Sequence, residues 1–180
     1  MLEDWHDFYL LVGGAAGALI GLLFVVASLA GQLHGGNAEK GRPVYLSPTV
    51  FHFSLVLGVG ALAMAPHVTN ALAWPILLAA AVVGLGYSGA IWCAFITGTW
   101  AEEPHWTDMW FYGVAPTAIY AGMIAAAAAV ARLGAPGLYG VAAAQGALML
   151  VGIRNAWDLI TWIAPRAQGG DGATDGKTPT

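Results

Sequence analysis

Five apolar stretches, roughly 8–30, 48–68, 72–97, 109–131 and 137–160, run without lysine, arginine, aspartate or glutamate until Arg154, near the end of the last. A hydrocarbon layer about 30 Å thick takes about 20 residues of helix to cross. Every backbone polar group inside that layer must be bonded within its own segment. The runs therefore predict an all-α fold: a polytopic membrane helix bundle with about five transmembrane helices. The charge content agrees, because only 9% of the residues are charged, against about 25% in a soluble domain. Lipid is the expected main solvent.

The breaks between runs carry turn chemistry. Gly35, Gly36 and Asn37 through Pro43 form a polar loop, and Ser47-Pro48 reads as an N-cap followed by proline at the first helical position. Thr69-Asn70 with Pro75 suits a tight reversal. Ala101 to Asp108 reads as an acidic loop, and Gly134-Ala135-Pro136 as a helix stop and restart. Residues 1–165 are expected to form one transmembrane domain ended by Pro165, with 166–180 a disordered polar tail. Ser28-Leu29-Ala30 looks like a signal cleavage site. However, the first residues carry Glu3, Asp4 and Asp7 without a basic residue, and the apolar run exceeds a signal core of about 7–15 residues, so a retained helix is expected.

Lysine and arginine set the expected orientation. With the N-terminus outside, Lys40, Arg42, Arg166 and Lys177 fall on the cytoplasmic side and Arg132 alone outside. Trp5, Trp74 and Tyr139 then mark the outer interface, and Tyr45, Trp100, Trp106 and Trp110 the inner one. The expected location is the inner (plasma) membrane, crossed several times, with a cytoplasmic C-terminus.

Gly13, Gly17 and Gly21 recur every four residues on nearly one face of the first span. Glycine lets helix backbones approach closely, a main source of association in lipid. The face is expected to pack first against another helix of the same chain, with a dimerisation contact as the alternative.

The segment "GIRNAWDLITW" (152–162) brings three polar residues to the end of the last span. Arg154 lies about 24 Å along the helix from Leu138 at roughly 1.5 Å per residue, within snorkelling reach of the cytoplasmic edge. Asp158, one turn on, suits an i,i+4 pair. His52 enters the second span at similar depth. His52, Arg154, Asn155 and Asp158 therefore form a candidate intramembrane polar cluster. It is either a working site, since intramembrane charge marks pathways, or the exit of a helix into water. Gln145 suits an interhelical hydrogen bond.

Other classes find little in the sequence. Cys93 is the only cysteine, so no disulfide or cysteine-rich metal site is expected. No basic stripe for nucleic acid exists in a chain of net charge -4. His52 and His67 share one predicted span, but no second helix carries a matching pair for haem. No zinc motif, phosphate loop or GxSxG elbow is present, and Ser28, Ser54 and Ser88 have no adjacent base. No enzyme activity, cofactor or metal is expected.

Trp5, Phe8, Gly17, Gly21, Leu22, Phe24, Val25 and Ser28, within "WHDFYLLVGGAAGALIGLLFVVASL", resemble the first span of a group of small bacterial integral membrane proteins. Some of that group are automatically labelled modulators of the membrane protease FtsH. Asn155-Ala156-Trp157 is similar to the group's last helix. The resemblance implies a small bacterial inner-membrane protein without supplying an active site. The expected function is contact between its helices and those of further copies or of other membrane proteins, within the lipid bilayer. The alternative is a small transporter or channel subunit with a polar cluster on the cytoplasmic side.

Overall fold

The computed structural model describes residues 3–33, 42–98 and 105–168. After a single 3-10 turn at Glu3–Trp5, the chain forms α1 (His6–Leu33), α2 (Arg42–Met64), α3 (Asn70–Ile96), α4 (Trp106–Leu133) and α5 (Ala135–Gln168). All five contain a segment long and apolar enough to cross a membrane. The polar loop predicted around Gly35, the acid pair Glu102 and Glu103, and the tail from 169 onward lie outside the described residues.

Packing is antiparallel between neighbours. Tyr9 and Gly13 on α1 meet Gly60 on α2, while Gly17 meets Leu57. Gly84 on α3 faces Tyr120 on α4, and Trp92 faces Gly113. Along α4 and α5 the pairs Val130/Gly137, Ala126/Gly140, Met123/Gln145 and Tyr112/Asn155 run in opposite directions. Gly134 alone joins α4 to α5, and its φ of 69° explains why glycine ends the helix there. α5 also packs on α2, where Gly152 leaves the space that the Phe53 ring fills. Helix α1 sits on the outside of the bundle, along α2 and against part of α5.

Large apolar side chains cover the outer surface: Leu10, Leu11, Leu22 and Phe24 on α1, Val82 and Val83 on α3, Leu150 and Ile153 on α5. A water-facing domain rarely exposes so much contiguous apolar area. The interior meanwhile takes Thr49, His52, Ser88, Gln145 and Asn155. Trp5 and Tyr139 meet edge to face with ring centroids 4.8 Å apart, so both anchor the same end of the bundle.

Several helix ends differ from the sequence reading. α2 begins at Arg42, not at a Ser47 cap, and carries Pro48 inside its second turn. Near a helix start a proline forfeits one backbone bond that few preceding turns depend on. α2 also stops at Met64, and His67 occupies the following turn with a left-handed φ of 60°, so His52 and His67 do not share a helix. α4 takes in Trp106 to Asp108 from the predicted loop. α5 runs three residues beyond Pro165, since a proline in the last turn again forfeits one bond.

Candidate functional site

The first turns of α4 are wide. Met109–Val114 is π-helical, with the Ala115 N–H bonded to the Trp110 carbonyl. Pro116 stands just beyond this stretch and has no N–H. It therefore serves neither the Tyr112 carbonyl, its partner in an α-helix, nor the Phe111 carbonyl, its partner in a π-helix. Asn155 on α5 supplies the missing donor: its Nδ2 donates to the Phe111 carbonyl at 3.1 Å. In return the Tyr112 hydroxyl donates to the Asn155 carbonyl at 3.1 Å. Asn155 is fully buried, and its Oδ1 has no partner among the described residues.

Arg154 and Asp158 form the i,i+4 ion pair that their spacing predicts. The guanidinium carbon lies 3.7 Å from the centroid of the Phe111 ring, a cation–π contact onto α4. The two side chains are 31% and 38% exposed, so the pair sits at the rim of the bundle, neither enclosed nor free. This geometry matches a helix exit, with a lateral clamp onto α4.

His52 does not join that rim. It is fully buried, and its Nδ1 shares a 2.9 Å hydrogen bond with the Tyr120 hydroxyl on α4. No hydrogen bond links it to Arg154. The expected four-residue cluster therefore divides into two, because equal depth on two helices does not bring side chains together unless both face the same seam. Tyr120 reaches His52 because Gly84 leaves room for its ring; a Cβ at that position would overlap the ring. The Nε2 of His52 has no partner among the described residues. A cleft lined by both His52 and Arg154 would open both to solvent, and His52 is fully enclosed.

Gln145 makes the interhelical contact expected of it, from Nε2 to the Met123 sulfur at 3.6 Å. Ser28, Ser54 and Ser88 each donate to the carbonyl one turn back, at 2.8 Å, so their hydroxyls are already committed. Among the described residues, no three of His, Cys, Asp and Glu gather where a metal ion could be held.

The glycine stripe is split. Gly13 is buried against Gly60, and a Cβ there would come 3.5 Å from the Gly60 Cα. Gly17 only reaches the tip of Leu57, and Gly21, expected in the same contact, is exposed with nothing within 4 Å. The reason is rotation: α1 meets α2 near Gly13 and turns Gly21 outward.

The sequence reading missed Phe111, Tyr112 and Tyr120. The usable signal was two tyrosines eight residues apart on one face of an apolar helix, since a phenol hydroxyl at that depth needs a partner.

The fold and these contacts define a multi-pass α-helical membrane protein whose polar groups tie helices together. No known protein family, curated protein or solved structure matches the chain.

Proposed function

We propose that this is a small integral protein of a bacterial inner membrane that acts through contacts between its helices and those of further copies or of other membrane proteins, without catalysis of its own. Its N-terminus is outside and its C-terminus cytoplasmic. The observation that carries the reading is the position of α1. Only 17% of its span is buried in the bundle, against 50% for α5. Gly14, Ala18 and Gly21 lie exposed along its free side, between Leu10, Leu11, Leu22 and Val25. Small residues there permit the close approach of another helix, which lipid chains do not require. The orientation rests on the basic-residue asymmetry, and the bacterial location on the resemblance of the first and last spans. The transporter alternative loses its main support, because His52 is fully enclosed and is not hydrogen-bonded to Arg154.

The test is purification from native membrane in a mild detergent, with the mass of the complex measured and its partners identified. A particle heavier than one chain, reproducibly with the same partner or copy number, is expected. A single chain in every detergent would contradict the reading. Reporter fusions at Met1 and Thr180 check the orientation.

A further inference from the structure

The Arg154–Asp158 pair leaves hydrogen-bonding capacity unused at headgroup depth. Arg154 carries five N–H donors. Its one polar contact among the described residues runs from Nη1, which is buried, to Asp158, and Phe111 covers a face of the guanidinium, so Nε and Nη2 are the donors left open. Asp158 gives one carboxylate oxygen to Arg154, and its other oxygen has no partner among the described residues. Both side chains are about a third exposed. The α4/α5 register, fixed by Tyr112 and Asn155, sets exposed Trp110 level with exposed Trp157. Tryptophan at this level is typical of the membrane interface.

The charge balance among the described side chains of this rim points to the ligand. Asp158 already cancels the arginine, and Asp108 lies one turn before Phe111 on α4. An anionic headgroup would gain the guanidinium but face two carboxylates. A ligand with both charges meets complementary partners. We infer that this rim binds the headgroup of a zwitterionic aminophospholipid, its phosphate on the free N–H groups of Arg154 and its ammonium on the free oxygen of Asp158. Guanidinium suits phosphate because it offers two parallel donors. A primary ammonium suits the carboxylate because it donates hydrogen bonds, which a quaternary choline cannot.

The full chain in detergent, titrated with phosphatidylethanolamine, phosphatidylcholine and phosphatidylglycerol of identical acyl chains, is read by native mass spectrometry. Phosphatidylethanolamine adducts should exceed either other lipid by roughly fivefold, the scale of one partly exposed charge-assisted contact. Asp158→Asn should move the preference toward phosphatidylglycerol, because the freed arginine then takes an anion. Arg154→Gln combined with Asp158→Asn should abolish selectivity. Equal retention of the three lipids by the wild-type chain, a wild-type preference for phosphatidylglycerol, or selectivity that survives the double change would overturn the inference. The wild-type competition needs no variant, so a misfolded variant leaves the test decisive.

Discussion

The amide of Asn155 on α5 donates to the Phe111 carbonyl on α4 at 3.1 Å, at the point where Pro116 leaves that carbonyl without a helical partner. One proline and one asparagine, 39 positions apart, thus answer each other across a helix seam. Asn155→Leu should lower stability in detergent by about 1–3 kcal/mol, the usual effect of stranding a buried acceptor. Pro116→Ala restores an N–H, so the asparagine should matter less in that background. A double-mutant cycle read by thermal unfolding checks this. Additive effects, with coupling well under about 0.5 kcal/mol, would show that the two residues act independently.

Arg154 belongs to the rim. Arg154→Ala should cost about 1 kcal/mol, the sum of a screened ion pair and a partly exposed cation–π contact. Arg154→Lys should be tolerated, since lysine also reaches the headgroups. A loss of about 3–5 kcal/mol, the mark of an enclosed pair broken in half, would place the arginine inside the bundle after all. Denaturant titration in micelles separates the two outcomes.

For the buried pair His52 and Tyr120, removing one partner is worse than removing both. Tyr120→Phe strands both imidazole nitrogens and should cost about 1–3 kcal/mol. Adding His52→Phe should recover part of that loss, because neither polar group then remains. Unfolding temperatures of the two single variants and the double variant give the comparison. Greater loss in the double variant would mean that His52 contributes through something other than Tyr120.

Glycines on one helix should differ in consequence. Gly13→Leu, against the Gly60 backbone, should destabilise by about 1–3 kcal/mol through overpacking. Gly17→Leu meets only the movable end of Leu57 and should cost less. Gly21→Leu should leave the isolated bundle as stable as before, since nothing lies near it. Thermal unfolding in detergent ranks the three. Loss of stability at Gly21 comparable to that at Gly13 would show that α1 packs through its whole glycine stripe.

The spans could be read from the sequence because lipid tolerates so few charges that their absence is itself a signal. The five runs correspond to α1 through α5 within a few residues at most ends. Pro48 misplaced the start of α2, because proline chemistry marks a place where a helix is allowed to start, and this one starts earlier. The partners inside the bundle were not legible. Asn155 stood out as a polar residue in an apolar run, but its acceptor is a backbone carbonyl on another helix, marked in the sequence only by Pro116 five residues further on. His52 was assigned to Arg154 by depth, whereas helix rotation and the gap at Gly84 assign it to Tyr120. Gly13 and Gly21 look alike in sequence, and only the rotation of α1 against α2 separates their roles.

The most direct measurement is a crosslinking scan of α1 in native membranes. The exposed Cys93 is first replaced by serine. Single cysteines are then placed in turn from Leu10 to Val25, with Val83→Cys on the exposed face of α3 as a control. A contact through the free side of α1 predicts higher-mass products that peak at positions 14, 18, 21 and 25, the helical period, and none at the control. A flat profile no stronger than the control would mean that α1 faces only lipid, and helix–helix association would no longer explain what this protein does.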